Sequence, residues 1–204
     1  MKIGIIGAGA IGTAIARLLA RADIDAVIAN SRGPASLAGL ESELGGRIKA
    51  VTVREAARAD LVFLAVNWSR IADAVRDLGP WDGRIVIDAN NPIEAPAFRP
   101  IDLGGQTSSE VVSALLPGAR VVKAFNHLGA ALLAGDPGAE GGRRVLFVAG
   151  DDTAAKGNVL ELAGRLGFAG IDLGTLGGGA RLFQFPGGPL AALNLVRFEP
   201  PGGQ

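Results

Sequence analysis

The first twenty residues, MKIGIIGAGAIGTAIARLLA (residues 1–20), decide the fold. Residues 3–6 form an apolar, β-branched run typical of a buried strand, and residues 14–20 continue in a pattern typical of a helix. Between them, Gly7, Gly9 and Gly12 have the spacing of a dinucleotide-binding turn. The first glycine permits the turn, the second lets a pyrophosphate approach the backbone, and the third lets helix and strand pack closely. The stretch predicts nucleotide binding, and an ordinary glycine turn is the alternative.

Composition narrows the class of protein. The 204 residues are 49% hydrophobic and include 31 glycines, which suits one large α/β domain or a domain with a small appendage. A net charge of zero predicts no nucleic-acid partner, and no apolar run reaches the ~18 residues that cross a bilayer. Because the first strand opens at Lys2, we expect no signal peptide and a cytoplasmic protein. The absence of Cys and Tyr and the single His exclude a thiolate nucleophile, a Tyr–Lys reductase pair and a His-cluster metal site, so no metal is predicted.

Strand and helix patterns alternate along the rest of the chain. Further strands are predicted at residues 26–29, 48–53, 61–66, 84–88 and 120–125. This order predicts an α/β fold with a doubly wound parallel sheet. We predict a dinucleotide-binding Rossmann domain over residues 1–134 and a small C-terminal α/β unit over residues 143–204, ending in a broken helix at residues 190–198.

Ligands of such sheets bind at the carboxyl ends of the strands. That rule selects residues 7–12, 30–32, 66–68, 89–92 and 125–128. An NAD site carries Asp or Glu after the second strand, to hold the ribose 2′-hydroxyl, whereas this chain has Asn30, Ser31 and Arg32. Ser31 can donate a hydrogen bond to a 2′-phosphate and Arg32 can pair with it, which favours NADP(H) over NAD. The alternative is that Arg32 is a surface charge at an unselective site.

Further motifs carry a resemblance to a known family. They are NSR at residues 30–32, AVNW at 65–68, DANNP at 88–92, VVKAFNHLG at 121–129, VAGDD at 148–152 and ARLFQFPGGPLAALNLVRF at 180–198. With the glycine turn they resemble the NADPH-dependent reductases of the deazaflavin coenzyme F420, along nearly the whole chain. The resemblance extends to the cytosolic domain of six-transmembrane metalloreductases. It implies NADP(H) as cofactor, coenzyme F420 as co-substrate, a homodimer, and a C-terminal unit that forms part of the acceptor pocket.

The resemblance also implies which residues bind the cofactor. In the glycine turn, the residues facing the pyrophosphate would be Ala8, Gly9, Ala10 and Ile11, and Ser31 and Arg32 would hold the 2′-phosphate. The candidates at the nicotinamide side are Val66, Asn67, Asn90, Asn91, Asn126 and Ala130. Three departures from the family pattern concern the phosphate and the acceptor. Ser36 stands where the family has a Lys that can assist the 2′-phosphate, and Asn67 stands where the family often has a Pro after the fourth strand. The family's His at the position of Asn126 comes one residue later here, as His127.

Hydride transfer between two cofactors needs little side-chain chemistry. The candidate catalytic residues are Asn126 and His127. His127 is the one side chain that titrates near neutrality, so it is a candidate for orienting or protonating the acceptor; the alternative is a ring that points to solvent. Three other functions stay open: an NADP-binding sensor, a flavin or metal reductase, and a small-substrate dehydrogenase. A β-hydroxyacid dehydrogenase would need a catalytic Lys, whereas Lys123 lies inside a predicted strand and is interpreted as a charge at the sheet end.

Overall fold

The computed structural model describes residues 1–94, 97 and 99–198. The strands in this part of the chain are β1 (Ile3–Ile6), β2 (Ala26–Ala29), β3 (Ile48–Ala50), β4 (Leu61–Leu64), β5 (Ile85–Asp88), β6 (Ile93–Glu94), β7 (Arg99–Pro100), β8 (Arg120–Lys123), β9 (Arg143–Gly150), β10 (Ala169–Asp172) and β11 (Val196–Arg197). The helices are α1 (Ala10–Arg21), α2 (Ala38–Glu43), α3 (Val53–Ala56), α4 (Ile71–Val75), α5 (Ser108–Leu115), α6 (Ala130–Ala134), α7 (Thr153–Arg165) and α8 (Gly179–Phe183). Short 3₁₀ turns at Pro34–Leu37 and Trp68–Arg70 precede α2 and α4.

Nine of the strands form one sheet in the order β10-β9-β8-β5-β4-β1-β2-β3, with β11 also paired to β9. Within this order, the six strands β8, β5, β4, β1, β2 and β3 are parallel to one another. The chain starts in the middle of the sheet, since β1 lies between β2 and β4. This mainly parallel α/β sheet confirms the predicted Rossmann-type fold, and β1 marks the reversal of strand order where such sheets bind ligands.

Both faces of the sheet are covered, which explains why its strands are continuous apolar runs. Successive strand residues point to opposite faces. Ile5 and Phe63 therefore belong to one apolar core, with helices α1 and α7, while Ile6 and Val62 belong to a second core that also contains the buried Trp81. The two cores fix the central strands, and with them the positions of the loops at the carboxyl edge.

Two sequence predictions of local structure are corrected. The broken helix expected at residues 190–198 is instead turns followed by β11, which pairs antiparallel with β9. The apolar spacing there resembles a helix, but pairing with β9 satisfies the backbone of this segment in the sheet instead. The loop expected at residues 93–108 contains the antiparallel pair of β6 and β7; residues 95, 96 and 98 lie outside the described residues.

The C-terminal strands extend the same sheet. Strand β9 runs antiparallel to β8, and β10 runs parallel to β9. The proposed boundary between residues 1–134 and 143–204 stays a prediction, and residues 199–204 lie outside the described part of the chain. Within that part, no helix is long and apolar enough to cross a membrane.

Candidate active site

Of the three glycines of the first turn, Gly7 and Gly12 are required by close contacts within the protein, and Gly9 is not. Gly7 has a φ of +109° and its N–H donates to the Ala29 carbonyl at 2.8 Å. A Cβ on Gly12 would lie 1.9 Å from the Gly7 carbonyl oxygen, so only glycine lets α1 approach β1 this closely. A Cβ on Gly9 would meet no atom within 4 Å. Gly9 is therefore not demanded by the protein's own packing, and the space beside it suits a ligand's pyrophosphate.

Helix α1 begins directly after this turn with Ala10 and Ile11. Gly9 is its N-cap, and no side chain caps the first turn. The first N–H groups of a helix lack intrahelical acceptors and carry the positive end of the helix dipole. Together with the open space at Gly9, this end of α1 fits a phosphate group.

An open cleft of about 880 Å³ lies at the carboxyl edge next to the turn. The predicted residues that line it are Gly7, Ala8, Gly9, Asn30, Ser31, Arg32, Val66 and Asn67. The structure thus brings together the ends of β1, β2 and β4, as the strand-end rule predicted. The cleft also contains Val53, Arg54 and Arg70, which our sequence reasoning missed. The strand-end rule could have found both arginines, since Arg54 follows the third strand and Arg70 follows the fourth by a few residues.

The end of β2 is shaped by a polar turn. The Asn30 carboxamide oxygen accepts from the N–H of Arg32 at 2.9 Å, and its nitrogen donates to Ser36 Oγ at 2.9 Å. The Ser36 hydroxyl in turn lies 2.7 Å from the Gly33 carbonyl. Asn30 and Ser36 therefore build the turn, while the exposed guanidinium of Arg32 has no hydrogen bond or ion pair to the described residues.

Asn90 acts on the cleft through Val66. Its side chain is buried, and its oxygen accepts from the Val66 N–H at 2.9 Å. Its nitrogen donates to the Leu64 carbonyl and to Asp88 Oδ1, both at 2.9 Å. All polar atoms of this side chain are thus used within the protein, and Asn90 positions the wall of the cleft formed by Val66.

A buried ion pair supports this strand end. Lys123 and Asp88, which face each other in the register of β8 and β5, are both 0% exposed, with Nζ 3.1 Å from Oδ2. The Lys123 ammonium also donates to the Asn90 carbonyl and to Ser108 Oγ, and Ser109 donates to Asp88 at 2.6 Å. Burial lowers the pKa of Lys123, opposed by the Asp88 charge. Lys123 is therefore an internal support of the site, not the charge at the sheet end that we expected.

The ends of β5 and β8 meet in a pair of asparagines. Asn126 Nδ2 donates to Asn91 Oδ1 at 3.0 Å, and Asn91 Nδ2 donates to the Asn126 carbonyl at 2.8 Å. The same Asn126 nitrogen donates to the Phe183 carbonyl at 3.0 Å, which fixes the orientation of the amide. Asn126 Oδ1 is buried and has no partner among the described residues. An orphaned buried acceptor is costly, so this oxygen is a position where a ligand donor would be stabilising.

Backbone geometry marks the same place. Phe125, directly before Asn126, has a φ of +63°, which is rare for a bulky residue. Its buried ring is held edge-on between Phe63 and Phe168, with centroid distances of 5.2 and 6.4 Å. Such strain persists only where packing over-determines it and is concentrated at functional sites.

The segment after α8 closes over these asparagines. The N–H of Phe185 donates to Asn91 Oδ1 at 3.1 Å, and Gln184 Oε1 accepts from the N–H of Ser108 at 2.6 Å. Within α8 itself, Arg181 donates to the Gly105 carbonyl at 2.6 Å. The C-terminal segment therefore contacts the strand ends directly, on the side of β5 and β8 away from the cleft at β1 and β2.

His127 faces the apolar interior. It is 3% exposed, and its ring lies 4.7 Å from that of Phe147 and 6.1 Å from that of Phe183. Neither ring nitrogen has a hydrogen bond of good geometry to the described residues. Burial lowers the pKa of His127 to about 4, against a smaller opposing effect of the Val145 carbonyl. The ring does not point to solvent, and at neutral pH it is uncharged, which disfavours its predicted use as a proton donor.

Ala130 is the first residue of α6, after the N-cap Gly129. It is half-buried and does not line the cleft. The assignment of Ala130 to the nicotinamide side stays a prediction, as do the binding roles of Asn67, Asn91 and Asn126.

A Rossmann-type sheet with a glycine turn, a cleft at its carboxyl edge and a cation after β2 defines the class of dinucleotide-binding proteins. Comparison with known proteins narrows that class. The family described as NADP oxidoreductase, coenzyme F420-dependent, matches residues 2–92. The chain is also 30% identical to a candidate F420-dependent NADP-reductase from Arthrobacter sp. FB24, covering 86% of each chain with a TM-score of 0.71. This protein therefore belongs to the family of F420-dependent NADP oxidoreductases.

Two further similarities extend the comparison. A hypothetical protein, SMa0349 from Sinorhizobium meliloti, is 52% identical, with a TM-score of 0.92 over 97% of this chain and 96% of that one. The metalloreductase STEAP3 of Rattus norvegicus is 32% identical over 91% of this chain. The match covers 36% of the length of that metalloreductase, so the chain is similar to one part of it.

Proposed function

We propose that this protein transfers a hydride between NADP(H) and a deazaflavin, coenzyme F420, or a flavin-like acceptor. The observation that carries the proposal is the buried Asn126 side-chain oxygen, which has no partner in the described part of the chain and lies at the same carboxyl edge of the sheet as the glycine turn. An NADP oxidoreductase must hold a nicotinamide at this edge, beyond the pyrophosphate site. Family membership supports NADP(H) as one reactant.

The residues present fit the dinucleotide. The open space at Gly9 and the uncapped start of α1 suit the pyrophosphate, and Arg32 suits the 2′-phosphate. When bound, NADPH supplies a hydride from C4 of its ring. The protein's contribution is then orientation, because two aligned rings at near-attack distance need no acid or base. In this proposal Asn126 orients the nicotinamide amide through its free oxygen, and Asn90 holds the Val66 wall in place.

The test is single-turnover transfer from NADPH deuterated at both C4 positions to coenzyme F420, and separately to FMN. The proposal expects deuterium at C5 of the reduced deazaflavin. With FMN, whose N5 deuterium exchanges with water, it expects a primary kinetic isotope effect on reduction. Asn126→Leu should slow transfer by about 10–100-fold while NADPH affinity stays within a few-fold, since it disturbs ring orientation and not phosphate binding. Asn158→Leu is a matched control, because Asn158 is half-buried on α7, does not line the cleft, and among the described residues its side chain bonds only to the Ala154 carbonyl. Reduction of neither ring, or a reduced deazaflavin without deuterium at C5, would overturn the proposal, and the absence of any reduction would favour the NADP-binding sensor.

A second candidate is electron transfer from NADPH toward a metal ion by way of a flavin. It is supported by the 32% identity to the metalloreductase, of which this chain matches only part. Free reduced flavin reduces ferric iron by itself, so the two candidates are separated by comparing two rates. Ferric reduction by NADPH, FMN and the protein that is faster than ferric reduction by pre-reduced FMN alone would favour the second, and equal rates would favour the first. The dehydrogenase alternative is disfavoured, since fully buried Lys123 cannot reach a substrate.

The predicted homodimer enters here as part of the proposal. The measurement is the mass of the particle in solution, by light scattering after size exclusion. A homodimer should have twice the monomer mass of 20.7 kDa. A mass that corresponds to a single chain at micromolar concentration would contradict it. The absence of nucleic-acid and membrane partners stays a prediction.

A further inference from the structure

We propose that Arg54 is a second cation for the 2′-phosphate of NADP(H), acting with Arg32 to select NADP(H) over NAD(H). The inference rests on one part of the proposed function, namely that NADP(H) binds in the cleft described above. Arg54 and Arg32 both line that cleft. They reach it from adjacent strands, because β2 and β3 are parallel neighbours and the Val51 N–H donates to the Ile28 carbonyl at 2.9 Å. The chain then continues for three residues to Arg54, and from Ile28 for four residues to Arg32.

Arg54 is available for a ligand. The nearest carboxylate in sequence, Glu55, is used in a capping box, where it accepts from the Thr52 N–H at 2.8 Å and from the Thr52 hydroxyl at 2.6 Å. These hydrogen bonds lower the pKa of Glu55 and hold it as a carboxylate. Arg54 forms no hydrogen bond or ion pair with any described residue.

Two other arginines near the nucleotide half of the sheet are already paired. Arg47 bridges to Asp23 and Asp25, and Arg17 to Glu43. Arg70 also lines the cleft without an ion pair to a described residue, but it follows β4, on the wall that carries Asp73 and Asp77. Asp73, on the opposite wall of the cleft, is paired with Arg76. The cleft therefore offers unpaired guanidinium groups on its β2–β3 side, without a carboxylate beside Arg32 that would repel a phosphate.

The chemistry of the 2′-phosphate calls for more than one donor. A phosphate monoester carries close to two negative charges at pH 7, and each Arg presents a planar fork that matches its oxygens. Ser36, which stands where related reductases have an assisting Lys, is already engaged with Asn30 and the Gly33 carbonyl. Arg54 supplies the second positive charge from the neighbouring strand end instead.

The experiment is calorimetric titration of the full chain with NADPH and with NADH. Arg54→Ala should weaken NADPH binding by roughly tenfold, which is the loss of one charge-assisted contact, and change NADH binding by less than about twofold. Arg54→Lys should recover part of the loss. The matched control is Arg58→Ala, since Arg58 is exposed just past the end of α3 and lines a different depression at the amino ends of β1 and β2. Arg58→Ala should leave both affinities unchanged.

The possible results separate the two ideas. Equal losses of affinity for NADPH and NADH in Arg54→Ala would place Arg54 on the part that the two nucleotides share, and would overturn the inference. Unchanged affinity for NADPH would also overturn it. Titration with 2′,5′-ADP and 5′-AMP repeats the comparison without the nicotinamide, so it stands even where no acceptor is reduced. A wild-type protein that binds NADPH but transfers no hydride would refute the proposed reaction and leave the Arg54 result intact. Thermal unfolding of each variant verifies that the fold is retained.

Discussion

Replacement of His127 by leucine should make the protein less sensitive to acid. The His127 side chain is 3% exposed and packs between the rings of Phe147 and Phe183. Burial lowers its pKa from 6.5 to about 4. The folded protein therefore keeps a neutral imidazole at pH 7, and leucine can replace it in the same apolar cluster without loss of a charge or of a hydrogen bond of good geometry.

The sign and size of the effect follow from the two pKa values. Between pH 6.5 and pH 4 the unfolded chain binds a proton that the folded protein does not, so the free energy of unfolding decreases as the pH falls through this window. Above pH 6.5 His127 has no such effect. A difference of about 2.5 pKa units corresponds to about 3 kcal/mol when the pH has fallen below 4, and about 2 kcal/mol is already lost at pH 5.

Two measurements check this prediction. His127 is the only histidine in the chain, so its imidazole proton resonances need no assignment, and their titration should have a midpoint near 4. Urea unfolding at pH 7 and pH 5 should show that wild type loses about 2 kcal/mol more than His127→Leu. The carboxyl groups titrate in both proteins, so the difference isolates the imidazole. A midpoint near 6.5, or equal losses in the two proteins, would refute the buried neutral imidazole and restore His127 as a candidate proton donor.

Two further predictions test the supports of the site. Gly9→Val should abolish NADPH binding, measured by calorimetry, and leave the circular dichroism unchanged. Gly12→Ala should instead lower the free energy of unfolding by at least about 1–3 kcal/mol, because its Cβ would meet the Gly7 carbonyl. Equal effects of the two variants on stability would contradict these separate roles. Lys123→Met should cost about 3–5 kcal/mol in urea unfolding, because it leaves the Asp88 charge buried without its cation. Adding Asp88→Asn should recover part of that loss, since it removes the charge and keeps an acceptor for the Asn90 amide. A Lys123→Met variant as stable as wild type would show that the pair is not buried.

The nucleotide half of the site could be predicted because its information is local. The glycine spacing requires only the strand before it and the helix after it. Parallel strands bring their carboxyl ends to one edge whatever their order, so Asn30 and Val66 could be placed together without knowing the register. Arg54 follows from the same rule applied to the third strand, which our reading of the sequence left out.

The supporting residues could not be predicted, since they depend on pairings distant in sequence. Lys123 and Asp88 are 35 residues apart and face each other only because β8 and β5 are neighbours in that register. The burial of His127 depends on Phe147 and Phe183, which come from β9 and α8. A shift of one residue in a strand pairing moves the side chains of that strand to the other face of the sheet, and no local sequence pattern excludes such a shift.

In the functions proposed above, the two halves of the site differ in what determines their specificity. Nucleotide choice would depend on side chains at the ends of β2 and β3, which short stretches of sequence encode. The acceptor side would depend on Asn91 and Asn126 and on a segment some 60 residues further along the chain, which binds them through the Phe183 carbonyl and the Phe185 N–H. Both of these contacts are made by backbone atoms, so they constrain the path of the segment but not its side chains. Changes of side chain in residues 181–189 are thus expected to alter the acceptor while NADPH affinity stays the same, and kinetics of such variants with coenzyme F420 and FMN would measure that separation.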